Sequence, residues 1–264
     1  MASYDSMVAQ PRALENDSPI AAPTVEILGV PVKAVNRKNL TDIIRQTLLD
    51  GRKGWVSYVN VHAINLAAEK PEFKRFLNRS LLNYCDGEGV RLGASILGKN
   101  IPERIVLTDW FYDLCEVADY QHLRVFFLGS TDDVLRRSLE RLKQRYPGLN
   151  VCGYHHGYFN GFDADIVSAV NAAKPDILFV AMGMPRQEQW IEKNFDSLNV
   201  RLIFNTGSCL DYVAGMKRRC PQWMAQSGLE WLFRLFQEPR RLWKRYILGN
   251  PLFLIRIFTQ RLSA

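Results

Sequence analysis

The sequence predicts an α/β fold: a Rossmann-like, mostly parallel sheet in two halves, followed by a C-terminal basic amphipathic helical appendage. Three observations carry that expectation. Short β-rich runs alternate with helical periodicity from residue 25 onward, apolar strands stop at glycine turns that open polar helices, and residues 228–264 interleave aromatic with basic side chains. The expected organisation is a disordered tail over 1–24, an α/β domain over 25–227 and the appendage over 228–264.

Residues 1–24 mix Ser, Pro, Ala and charges without the basic start and apolar stretch of a secretion signal. Residues 25–35 read as paired strands around Gly29-Val30-Pro31, and 39–49 as a helix with Leu40, Ile43, Ile44, Thr47 and Leu48 on one face. A strand over 55–61, a helix over 63–77 and a strand from Leu82 to Asp86 complete the first series. The second opens with the apolar strand 123–128, whose Gly129-Ser130-Thr131-Asp132 turn starts a helix that runs to Tyr146 and stops at Pro147-Gly148. Strands over 150–154, 177–182 and 200–205 follow, with helices over 165–173 and 186–195. In the tail, Pro239 and Pro251 divide the aromatic and basic residues into two short amphipathic helices.

Composition narrows the function. A chain of 264 residues makes one large domain or two small lobes with a substantial core. Its five cysteines, an odd number with no Cys-x-x-Cys pair, fit reduced thiols better than a disulfide framework or a structural zinc site. No uninterrupted apolar run reaches the ~18 residues that would span a bilayer. The net charge of +7 is concentrated at the end, where residues 228–264 hold seven basic side chains against two acidic ones.

Candidate chemistry sits at the ends of the strands. After the apolar Leu178-Phe179-Val180-Ala181-Met182, the turn Gly183-Met184-Pro185 brings Gln187 and Glu188 beside a helix N-terminus that favours anions. The same residues also make an ordinary tight connection with capping side chains. Asp86, between Cys85 and Gly87 at a strand end, suits a general base, and equally an acid that fixes its own turn. Asp211 follows a glycine turn and could cap a helix. Asp163-Ala164-Asp165 has the spacing of a metal-binding pair, yet it precedes a helical run, where acids favour the dipole without any metal.

Taken in order, Asn83-Tyr84-Cys85-Asp86-Gly87-Glu88-Gly89, Arg104, the Gly183 turn, Asn205-Thr206-Gly207-Ser208-Cys209-Leu210-Asp211, Arg218-Arg219-Cys220-Pro221 and Gly228-Leu229-Glu230-Trp231 with Glu238-Pro239-Arg240 resemble the WecG/TagA/CpsF family of bacterial glycosyltransferases, in its exopolysaccharide (GumM-like) branch. The resemblance runs from about Ile27 to Tyr246. It implies that Asp86 is the catalytic base and that Arg104 meets the donor diphosphate or the acceptor. It also implies that Asn60, Gly183, Gln187 and Asp211 contact the UDP-sugar. Tyr58 stands where the family usually has threonine, so its phenol or the neighbouring Ser57 would replace that hydroxyl contact.

The resulting expectation is an inverting glycosyltransferase that moves a hexose, glucose by the GumM-like resemblance, from a UDP-sugar to a polyprenyl-diphosphate-linked saccharide in exopolysaccharide assembly. UDP-N-acetylmannosamine and its uronic acid are the family's alternative donors. No metal or other cofactor is expected. Arg234, Arg240, Arg241, Lys244 and Arg245 would meet the acceptor diphosphate or the anionic inner leaflet, placing a cytoplasmic enzyme peripherally on the membrane. Nucleic acid explains the basic tail less well, and a homo-oligomer stays open. Two rivals remain: a nucleotide-dependent oxidoreductase, whose Gly-x-Gly-x-x-Gly fingerprint residues 129–132 do not supply, and a basic membrane-docking adaptor.

Overall fold

The computed structural model describes residues 22–159 and 163–263, so all but the last three residues of the expected tail lie outside the described residues. Eight strands form one sheet: β1 (Thr24–Ile27), β2 (Val30–Lys33), β3 (Gly54–Val59), β4 (Leu82–Cys85), β5 (Arg124–Gly129), β6 (Asn150–His155), β7 (Ile177–Ala181) and β8 (Leu202–Asn205). Their order is β1-β2-β4-β3-β8-β7-β5-β6. β1 and β2 form an antiparallel hairpin, and every other pairing is parallel. The two expected halves are fused, because β3 pairs with β8 through Gly54, Trp55 and Val56 against Leu202, Ile203 and Phe204.

Helices cover both faces, which is why the central strands read as continuous apolar runs. Side chains alternate across the sheet. Phe127, Phe179 and Phe204 join Trp110 and Phe111 in one core, while Phe126, Leu128, Leu178, Val180 and Ile203 join Trp55, Ile64 and Phe76 in the other.

Several element boundaries differ from expectation for local reasons. The helix expected over 63–77 is two helices, Val61–Glu69 and Pro71–Arg79. Pro71 forces Lys70 into an extended conformation and starts a new helix at its own first position. The strand expected to reach residue 61 ends at Val59, because Asn60 caps the next helix by accepting from Ala63 N at 3.1 Å. Residues 87–122, for which the sequence pattern offers no element, hold the helices Glu88–Ile96 and Leu107–Tyr120.

The C-terminal region contains the helices Glu230–Gln237, Pro239–Trp243 and Gly249–Leu262, with a π turn at Lys244–Leu248. Pro251 does not divide it as expected. It falls in the first turn of the last helix, where a missing N–H is tolerated. That helix is docked on the domain: Phe253 and Ile257 are buried in the same core as Trp55 and Ile64. Gly93 makes the approach feasible, since a Cβ there would lie 2.7 Å from the Phe253 ring. Arg256 bonds Asn65 Oδ1 at 3.0 Å, Arg261 bonds the Ile96 carbonyl at 2.7 Å, and Gln260 accepts from Leu28 N at 2.9 Å. Phe253→Ala should therefore lower the single melting transition of the whole chain, by about 3–5 kcal/mol in unfolding free energy. An independently folded appendage would leave the main transition unmoved in calorimetry.

Candidate active site

Because β2 to β8 run parallel, their carboxyl ends share one edge, where ligands of open α/β sheets bind. Asn60 follows β3, Asp86 follows β4, Ser130 follows β5, Met182-Gly183 follow β7, and Thr206-Gly207 follow β8. All of them line a cleft of about 870 Å³. Two glycines make the edge close. At Gly129, φ is +133° and a Cβ would lie 2.3 Å from the Ala181 carbonyl oxygen. At Gly207, φ is +54° and a Cβ would lie 2.8 Å from the Tyr58 hydroxyl.

A second cavity of about 500 Å³ opens between the helix Glu88–Ile96 and the C-terminal segment. It shares Asn60, His62, Asp86, Val106, Arg234, Arg245 and Tyr246 with the first. Its apolar walls come from Val61, Leu92, Leu229, Trp231, Phe253 and Leu254. Asp86 thus stands where a polar cleft meets a more apolar one.

Asp86 keeps part of its surface open, yet protein encloses it closely enough that burial pushes its pKa up to about 7. Arg234, the Leu107 N–H and Arg104 oppose that rise, and Glu230 reinforces it. Leu107 N donates to Asp86 Oδ1 at 3.2 Å. Glu230 holds both arginines, meeting Arg234 at 2.5 Å and Arg104 at 3.5 Å. A carboxylate poised near neutrality beside two fixed cations can take a proton from a hydroxyl at physiological pH.

The first cleft is lined by the cations Arg186, Lys217, Arg234, Arg241, Lys244 and Arg245. Asp211 lines the same cleft, accepts from Ser130 Oγ at 3.2 Å and pairs with Lys217 at 3.1 Å. Lys217 reaches Glu238 at 3.6 Å, which links the β8 loop to the C-terminal helices. His62 sits on both cavities, and burial followed by the Arg245 charge depresses its pKa to about 4, so its imidazole is neutral.

Most sequence-expected residues converge here: Tyr58, Asn60, Asp86, Gly183, Asp211, Arg234, Arg241, Lys244 and Arg245 all line the first cleft. Arg104 lines the second cavity instead. Gln187 is a correction. It is wholly buried, lines neither cavity, and accepts from Gly183 N and Gly207 N, so it supports the cleft from behind. Arg240 is exposed and likewise lines neither cavity. Tyr58 is pinned by Gln187 Nε2 at 3.4 Å. The side chain of Asp163 is outside the described residues, and Asp165 is exposed at the start of the helix Asp163–Ala173. Sequence reasoning missed His62, Lys217 and the bridging role of Glu230. Glu230 alone had a visible signal, its place in the Gly-Leu-Glu-Trp motif.

A doubly covered parallel sheet that gathers a carboxyl of raised pKa and clustered cations at its carboxyl edge has the groups that transfer of a substituent from an anionic leaving group requires. The chain belongs to the Glycosyl transferase WecG/TagA/CpsF family, whose family model matches residues 25–264. It is similar to the N-acetylglucosaminyldiphosphoundecaprenol N-acetyl-beta-D-mannosaminyltransferase of Bacillus spizizenii, at 31% identity over 84% of this chain and 86% of the relative. It is also similar to the enzyme of the same name from Staphylococcus aureus, at 26% identity over 88% and 91%. The protein is a glycosyltransferase, and the oxidoreductase and adaptor readings are set aside.

Proposed function

We propose that this glycosyltransferase moves N-acetylmannosamine from UDP-N-acetylmannosamine to a hydroxyl of a polyprenyl-diphosphate-linked N-acetylglucosamine, inverting the anomeric carbon. The observation that carries the reading is the position of Asp86 between the cationic cleft and the apolar cavity. The relatives' names support the sugar and the acceptor. Glucose, the donor sugar expected from the sequence, gives way to N-acetylmannosamine, and nothing in those names supports the exopolysaccharide branch.

In this reading the donor lies in the first cleft and the acceptor enters through the second, its first isoprene units against Leu92, Trp231 and Leu254. Asp86 removes the proton of the acceptor hydroxyl, whose oxygen bonds to the anomeric carbon as the bond from that carbon to the diphosphate breaks. UDP leaves with the electron pair. Arg234, Arg241, Lys244 and Arg245 stabilise its charge. The exposed basic and apolar side chains of the C-terminal helices hold the enzyme peripherally on the anionic membrane that carries the acceptor.

A transfer assay with radiolabelled UDP-sugars and a short-chain lipid-diphosphate N-acetylglucosamine acceptor tests this. Incorporation from UDP-N-acetylmannosamine, and little from UDP-glucose, is expected; the reverse preference would refute the sugar assignment. Because protein cations supply the counter-charge, activity should survive EDTA. Loss of turnover that only magnesium or manganese restores would assign the leaving-group role to a metal.

A further inference from the structure

Gln187 and Glu188 open the helix Arg186–Asn194, and both are buried, at 0% and 1% exposure. Gln187 Oε1 accepts from Gly183 N at 3.2 Å and from Gly207 N at 2.9 Å, so one amide oxygen ties together the loops that follow β7 and β8. Neither N–H has another partner among the described residues. The opposite edge of the amide, Nε2, donates to Glu188 Oε1 at 2.7 Å and to the Tyr58 hydroxyl at 3.4 Å. Asn205 Nδ2 donates to the same Glu188 oxygen at 2.8 Å.

An amide turned over by 180° would present its NH2 to two loop N–H donors and its oxygen to a carboxyl oxygen. Both ends would then be repulsive. Glu188 therefore adds, at the far edge of the amide, to the preference that the two loop N–H groups set at the near edge. We propose that Glu188 is a positioning residue for the donor cleft: its Oε1 helps to lock the Gln187 amide in the orientation that ties Gly183 and Gly207 together. The consequence for donor binding rests on the reading of the first cleft as the nucleotide-sugar site; the loop tie itself does not.

The role requires an acceptor oxygen and not a charge. Burial pushes the Glu188 pKa up to about 7, against the hydrogen bonds from Gln187 and Asn205, and its Oε2 has no partner. Glu188→Gln should therefore preserve the lock, and Glu188→Leu should weaken it.

Amide hydrogen exchange of the ligand-free protein reads the tie directly. Gly183 and Gly207 are expected to exchange at wild-type rates in Glu188→Gln and about tenfold or more faster in Glu188→Leu, the change that loss of one ordinary hydrogen bond produces. Calorimetry with UDP should show a Kd within about twofold of wild type for Glu188→Gln and roughly tenfold weaker for Glu188→Leu. Unchanged exchange in Glu188→Leu would overturn the proposal. So would equal deprotection in both variants, which would make the charge the operative feature. If Glu188→Leu does not fold, Glu188→Met takes its place, and faster glycine exchange in Glu188→Gln alone suffices to refute the lock. Failure of the wild type to bind UDP would instead refute the donor reading, with the exchange result still deciding the role of Glu188.

Discussion

Asp86→Asn is expected to cut the transfer rate by ~10²- to 10⁴-fold, the range of a lost general base, while UDP binds with wild-type affinity. The variant keeps the oxygen that accepts from Leu107 N, so the turn after β4 stays in place and the loss is chemical. In the wild type the carboxyl must be ionised to act, so kcat/KM should rise as pH climbs through about 7. Asp86→Asn should lose that limb. Stability supplies an independent check. A carboxyl whose folded pKa lies above its unfolded value contributes stability that is fully present below the ordinary carboxylate range and lost as pH rises through about 7. At pH 8 the neutral Asn variant should therefore melt higher than the wild type, and at pH 4 it should hold no such advantage. Near-normal turnover in the folded variant would remove Asp86 from the mechanism.

The sheet and most of the residues that line the candidate cleft were legible because both depend on short-range signals. A buried parallel strand is a dense apolar run, and the residue after it is a loop residue at the carboxyl edge. That logic placed Asp86, Gly183 and Asp211 from the sequence. Gln187 was misread for a related reason: a polar residue at a helix start looks solvent-facing, and the sequence does not show that Gly207, twenty residues on, returns to share its oxygen. The Arg104–Glu230 pair spans the chain from the β4 connection to the C-terminal helices, a separation over which local patterning says nothing. The last helix misleads differently. Its apolar residues fall on two faces, Phe253 and Ile257 inward and Leu252, Ile255 and Phe258 outward, so an aromatic-rich basic helix was compatible with core or membrane and serves the core on one side.

That outward face leads to the second large effect. Leu248, Leu252, Ile255 and Leu262 recur at helical spacing with Phe258 beside them, and all are exposed, Ile255 at 63% and Phe258 at 52%. Arg240, Arg241 and Lys244 are exposed in the segment just before. Among the described residues no helix is long and apolar enough to cross a membrane. An interfacial helix needs only one apolar face and flanking cations. Replacing Ile255, Phe258 and Leu262, which line neither cavity, with Ser removes three exposed side chains whose full burial is worth ~1.5–3 kcal/mol each. Affinity for vesicles rich in anionic lipid should fall by ~10²-fold or more, with the melting temperature and turnover on a soluble acceptor analogue unchanged. Charge can be tested at a position clear of both cavities. Arg240→Gln should weaken vesicle binding by roughly 1 kcal/mol at low salt and by less at high salt, again with normal soluble turnover. Arg245 lines both cavities, so Arg245→Gln should lower soluble turnover in the absence of any membrane. Equal vesicle binding by the wild type and the triple Ser variant would show that this face does not dock on lipid, and a fall in soluble turnover in that variant would tie it to the chemistry of the cleft instead.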